Sequence, residues 1–149
     1  MPVPLFTINI FAVGKIKDKP LAEKINDFSA RIQFDVKFTI KEIKDSDKEN
    51  EGIKLSALAN PGNAFSVALS EEGREFTSEE FAKYLQSIPS RTINFCIGGH
   101  HGLSDHAKQS SNALISLSKM TFTHDMARLL LTEQIYRAVS IIKNRNYHR

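Results

Sequence analysis

A chain of 149 residues is long enough to bury a sizeable core and short enough to form one domain. Its 41% hydrophobic and 25% charged residues exclude a low-complexity or fibrous chain, and a net charge of +3 permits an anionic partner without demanding one. A single cysteine excludes an internal disulfide framework, and no apolar stretch approaches the ~20 residues that a bilayer crossing needs.

The chain opens Met-Pro-Val-Pro and runs directly into an apolar stretch, without the charged lead and small-residue cleavage site of a secretory signal. It reads as cytoplasmic. Residues 5–13 are nearly continuously apolar, include β-branched members and end at Gly14, which predicts a buried first strand. After a polar loop over 15–20, Leu21, Ile25, Phe28 and Ile32 recur at helical spacing. Val36, Phe38 and Ile40 then alternate with Lys37, Thr39 and Lys41, the pattern of a half-exposed strand. Residues 44–52 are dense in charges of both signs and read as a solvated loop or a helix start. A short helix over 53–59 stops at Asn60-Pro61-Gly62.

Residues 64–69 form another buried-strand pattern, from whose end Ser70-Glu71-Glu72-Gly73 is expected to turn away. Thr77 and Glu80 have capping-box spacing and open a helix through Phe81, Leu85 and Ile88 that Pro89 closes. The run from Ile93 to Ile97 is a buried strand stopped by Gly98-Gly99, with Gly102 two histidines later. A helix over 104–113 capped by Ser104, a strand over 115–122 and a long helix over 125–142 follow. The polar tail holds Lys143, Arg145, Tyr147, His148 and Arg149. Strands alternating with helices predict an α/β fold, a mostly parallel sheet covered on both faces. No linker or repeat divides residues 1–149.

Three strand ends are site candidates: Leu69-Ser70, Ile97-Gly98-Gly99, and the run of 117–122 leading into His124. Glycine brings peptide N–H groups close to a ligand with no Cβ in the way, which makes Gly98-Gly99-His100-His101-Gly102 a candidate cofactor loop. It is neither a dinucleotide fingerprint nor a Walker loop. No acidic residue follows Glu133, whereas Arg137, Lys143, Arg145 and Arg149 do, with Tyr147 and His148 among them. Such a segment suits RNA, guanidinium groups meeting phosphates while an aromatic ring stacks on an unpaired base; a solvated terminus is the alternative. His100, His101, His106 and His124 match no metal motif, so no metal is expected. Cys96, inside an apolar run, reads as a packed small hydrophobe rather than a nucleophile.

Four stretches in order and register resemble the ribosomal large-subunit pseudouridine N3-methyltransferases, of the SPOUT class: Ile97-Gly98-Gly99-His100-His101-Gly102-Leu103, Leu117-Ser118-Lys119-Met120-Thr121-Phe122-Thr123-His124, Glu133-Gln134-Ile135-Tyr136-Arg137-Ala138, and Tyr147-His148-Arg149. The resemblance implies a deep trefoil knot in the C-terminal part. It implies S-adenosylmethionine as cofactor, held by Leu69, Gly98, Gly99, Gly102, Leu117, Ser118, Lys119, Met120, Thr121 and Phe122. It implies a homodimer in which the basic tail of one subunit completes the site of the other, and 23S rRNA of the assembled ribosome as substrate. Tyr147, His148, Arg149 and Arg145 would then meet RNA. Where the family commonly has a small residue or proline stands His100, and where a proline usually precedes the Tyr-His pair stands Asn146.

Methyl transfer from a sulfonium asks chiefly for in-line positioning and for an acceptor for the N3 proton. Imidazole is the side chain best suited to that near neutral pH, which nominates His148, with Arg137 or Arg149 facing the developing charge. Two other classes remain: a non-catalytic RNA-binding protein using the same tail, and a flavodoxin-like FMN binder.

Overall fold

Five apolar runs become five parallel strands in the computed structural model, which describes residues 6–145. In chain order these are β1 (Thr7–Val13), α1 (Lys19–Ile32), β2 (Lys37–Ile43), α2 (Lys48–Ala59), β3 (Phe65–Glu75), α3 (Ser78–Ser87), β4 (Thr92–Ile97), α4 (Asp105–Ser110), β5 (Ala113–Ser116) and α5 (His124–Ile142). The sheet order is β2-β1-β4-β3-β5, and each neighbouring pair is parallel. The predicted α/β architecture is therefore the one observed.

Helices cover both faces, as burial of a parallel sheet requires. On one face Ile32 of α1, Phe81 and Leu85 of α3, and Leu131, Ile135 and Val139 of α5 join Ile8, Ile10, Val67, Ile93 and Phe95 of the strands in one buried cluster. On the other, Leu55 and Ala59 of α2 with Leu103 and Ala107 near α4 pack on Phe11, Val13, Ala68 and Cys96. A polar thread crosses this second face: Asn9 donates to Asn94 at 2.9 Å, and the buried Asn94 amide donates to the Ala59 carbonyl at 3.0 Å. Satisfied in this way, a buried asparagine fixes strand register instead of destabilising the core.

Helix starts follow their caps. Asp18, Asp47, Ser104 and Thr123 each accept a main-chain N–H of their first turn. Thr77 and Glu80 form the reciprocal capping box that their spacing predicts.

Four expectations are corrected. The short helix over 53–59 starts earlier: of the two readings of residues 44–52 the helix start holds, since α2 begins at Lys48, and Glu51 and Gly52 are buried. The turn at Ser70–Gly73 is a bulge within β3, since Leu69 and Arg74 both stand opposite Ile115 and the strand resumes to Glu75. The helix after Ser104 ends at Ser110, so that β5 can begin at Ala113. Residues 117–122 are not strand; β5 ends at Ser116 and a loop leads to the Thr123 cap of α5.

Cys96 is buried in β4 with its thiol directed at the Leu55 carbonyl, and burial pushes it from 9.0 up to about 12. It is a packed hydrophobe, as its context predicts. An acid whose folded pKa is raised ionises first in the unfolded chain, so its contribution is whole below pH 9 and lost as pH climbs towards 12. Urea unfolding of the native chain beside Cys96→Ala should show the native chain losing up to about 1.4 kcal/mol per pH unit relative to the variant in that window. A difference independent of pH would contradict the assignment.

Candidate functional site

All five strands present their carboxyl ends at one edge, where ligands of open α/β sheets bind. At the centre of that edge β4 gives way to Gly98-Gly99. The turn closes when the Gly102 N–H donates to the Gly99 carbonyl at 3.0 Å, with Gly102 at a φ of 77°. A Cβ on Gly98 would lie 2.6 Å from the Gly102 carbonyl carbon and 2.8 Å from the Leu103 nitrogen, so only glycine lets the two main-chain segments approach this closely.

On the β3–β5 side of this turn lies a cavity of about 320 Å³. Leu69 with the bulge residues Ser70, Glu71 and Glu72 forms one wall, Ile97, Gly98, Gly99 and Gly102 another, and Ser116, Leu117, Ser118, Met120 and Phe122 a third. The cavity is within the usual size range of small-molecule pockets, and its mixture of apolar walls with exposed main-chain groups is typical of them. Two of its polar groups are engaged. Lys108 reaches Glu72 at 2.8 Å and holds that carboxyl below its usual range, and the Thr121 hydroxyl donates to Glu71 at 2.9 Å.

Of the ten residues nominated for the cofactor, Leu69, Gly98, Gly99, Gly102, Leu117, Ser118, Met120 and Phe122 line this one cavity. Lys119 and Thr121 do not line it; both are exposed on the same loop. His124, into which the candidate run of 117–122 leads, also lines it, as do Lys108 and Ala127, which the sequence does not single out. The bulge carboxylates could have been found only by reading Ser70-Glu71-Glu72-Gly73 as an interruption inside a strand.

Across the glycine turn, on the β1–β2 side, is a second and larger cleft of about 920 Å³ that the sequence does not announce. It is lined by the segments that follow β1 and β2, by His100 and His101 of the turn, and by Glu51. His124 borders both cavities and lies 3.1 Å from Asp125. Beneath this edge the buried Arg128 of α5 joins Glu42 at 2.5 Å and donates to the Gly14 carbonyl at 2.9 Å, tying the start of α5 to the ends of β1 and β2.

The basic end of the chain is elsewhere. Arg137 pairs with Glu133 at 2.8 Å, 13 residues along α5 from His124 and hence about 20 Å from the site edge. Arg145 forks onto Asp35 at 2.5 and 2.7 Å, just before β2 begins, at the amino edge of the sheet. Neither arginine lines either cavity. Tyr147, His148 and Arg149 lie outside the described residues.

Residues 6–148 match the model of a family described as "Predicted SPOUT methyltransferase". The chain is 42% identical over 140 residues to a protein of Prochlorococcus marinus named ribosomal RNA large subunit methyltransferase H, covering 94% of each. It is 39% identical over 154 residues to a protein of the same name from Natranaerobius thermophilus, covering 93% of this chain and 97% of that one. Among solved structures it is similar to the SpoU methyltransferase AviRb of Streptomyces viridochromogenes, described as "in complex with the cofactor AdoMet". The TM-score is 0.53 at 13% identity, over 97% of this chain and 61% of that one.

Proposed function

The chain belongs to the SPOUT methyltransferase family, and on that premise we propose that it transfers a methyl group from S-adenosylmethionine to N3 of a pseudouridine in large-subunit ribosomal RNA. The observation that carries the reading is the cavity beside Gly98, where three strand ends meet and a Cβ would not fit. Residues 1–149 act as one domain. A ribosomal substrate sets the protein at work in the cytoplasm, and the described residues contain no helix long and apolar enough to cross a membrane.

The residues present suit the cofactor. Leu69, Leu117 and Phe122 offer apolar surface to the adenine, while the peptide groups of Gly98 and Gly99 carry no side chain and, with those peptide groups of the 117–122 loop that the loop does not itself engage, can hydrogen-bond its edges. S-adenosylmethionine supplies an electrophilic methyl group on a sulfonium. What the chain adds is alignment of that methyl with the entering nitrogen, an effect that can contribute several kcal/mol. The N3 proton must leave as the new C–N bond forms, and His148 accepts it; Arg137 or Arg149 faces the negative charge left on the base. No metal takes part in this scheme.

The geometry of α5 supports a homodimer with shared sites. The helix runs about 28 Å, from His124 at the cavity edge to the opposite end of the sheet, where Asp35 grips Arg145. His148 is three residues beyond Arg145 and can extend at most about 11 Å from it. That reach is shorter than α5 itself, which supports delivery of the tail to another subunit's cavity. A second copy, packed so that its cavity meets this tail, receives Arg137, Tyr147, His148 and Arg149 instead. The segment from β4 to β5 must also pass β3, which lies between them in the sheet, and we read that crossing as part of a deep trefoil knot.

Calorimetry should detect one S-adenosylmethionine per subunit. Gly98→Ala, whose Cβ must displace the Gly102–Leu103 peptide, should weaken that binding by at least about 10-fold while the protein remains folded. Undiminished affinity in the variant would place the cofactor elsewhere.

Shared sites make a second prediction. Gly98→Ala and His148→Ala chains, each inactive alone, should recover about a quarter of native activity when mixed and allowed to exchange subunits, because half the dimers then hold one intact site. No recovery on demonstrated exchange would mean that each tail serves its own subunit.

A further inference from the structure

The second cleft contains a feature that the fold does not use. Glu51 is only 3% exposed, and one of its carboxylate oxygens accepts the Ser46 N–H at 2.9 Å. The other, Oε1, has no hydrogen-bond partner. Glu51 is among the residues that line the cleft, and its Oε1 sits just beneath the surface beside the glycine turn, 3.5 Å from where a Cβ on Gly99 would lie. A buried carboxylate oxygen with no donor is costly, so a site that keeps one is shaped for a ligand that brings the donor.

The rest of the cleft narrows the ligand. Its rim holds three exposed lysines, Lys15, Lys17 and Lys44, against one exposed aspartate, Asp45. Of the other carboxylates in the lining, Glu42 pairs with Arg128, while Asp125 lies 3.1 Å from His124 with its Oδ1, like Glu51 Oε1, outside any hydrogen bond. Among the described residues no cluster of three or more side chains could hold a metal. A cationic rim over an acceptor suits a nucleotide whose phosphate stays outside and whose base brings an N–H inward. The cleft adjoins the cofactor cavity across the turn, with His124 bordering both.

We propose that this cleft seats the target nucleotide and that Glu51 Oε1 accepts the N1–H of pseudouridine, making Glu51 a specificity-determining residue. The inference rests on the pseudouridine reading above and extends it. Pseudouridine is joined to ribose through carbon and keeps a proton on N1, whereas uridine uses N1 for the glycosidic bond. When N3 is the methylated atom, N1–H is the donor that separates the two bases. An acceptor built for that proton is left unpaired by uridine, the kind of mismatch that discriminates most strongly.

The test uses the full-length protein with large-subunit rRNA carrying pseudouridine, uridine or N1-methylpseudouridine at the target position. The native protein should methylate pseudouridine with a kcat/KM at least about 10-fold above that for either analogue, both of which lack the N1 donor. In Glu51→Gln the Ser46 N–H should hold the amide oxygen and leave the NH2 facing the cleft, a donor where an acceptor stood. Its preference for pseudouridine over uridine should fall close to 1, with S-adenosylmethionine affinity unchanged. If the native protein methylates N1-methylpseudouridine or uridine as readily as pseudouridine, the assignment is overturned, whatever the variant's folding. If Glu51→Gln is folded and keeps the native preference, it is overturned equally. Inactivity of the native protein on all three RNAs would overturn the enzymatic reading, and this inference with it.

Discussion

The close approach of Gly98 to the Gly102–Leu103 peptide is the constraint on which the site depends. It lets the central strand end in a turn thin enough to leave space on both sides. A side chain at Gly98 would push Leu103 outward, and Leu103 belongs to the cluster that seats α2 and α4 on the sheet. Ligand space and core packing therefore share one contact. Gly99 is constrained from the other side, where a Cβ would meet Val13 of β1 at 2.8 Å. The two glycines are fixed by different neighbours, and together they set the width of the wall between the cavities.

A second tie fixes where α5 starts. Arg128 is buried at the point where β1 and β2 end, and its guanidinium reaches both a carboxylate and a main-chain carbonyl. An arginine in such a place is retained for geometry more than for net stability, since desolvation offsets much of the Coulombic gain. Its effect here is to hold His124 at the border of both cavities while α5 carries the basic end of the chain away. The Asp35–Arg145 fork fixes the other end of that path. One helix thus spans the height of the sheet, with His124 at the cavity edge and Arg145 held at the opposite end.

The fold was legible because strand burial and helix capping are local: Ile93 to Ile97, the Thr77–Glu80 box and the long periodic helix read directly. Misreadings arose where a residue's reason for being present is not the core. Ile115 and Leu117, then Met120 and Phe122, are each spaced as in a strand, yet the last three line the cavity, with Met120 74% and Phe122 39% exposed. Residues 44–52 look solvated because charge dominates them, but Glu51 turns into a cleft and Gly52 lets α2 pack where a Cβ would lie 1.9 Å from the Ser104 hydroxyl. The bulge after Leu69 looked like a strand end because its four residues leave the ladder, and only the return at Arg74 opposite Ile115 reveals it. The cofactor side was read largely by resemblance. The cleft across the turn carries no motif, and the unpartnered buried carboxylate oxygens in its lining cannot be seen without coordinates.

Topology explains why a cavity opens on each side of the glycine turn. The chain leaves β1, β3 and β5 for helices on one face of the sheet, and β2 and β4 for helices on the other. In the order β2-β1-β4-β3-β5, the loop after β4 departs in the opposite direction from the loops of both neighbours. Each such reversal opens a crevice at the carboxyl edge, and β4 is flanked by one on either side. The sheet order opens a cavity on either side of β4, and the glycines at its end keep the partition between them to the thickness of a main chain.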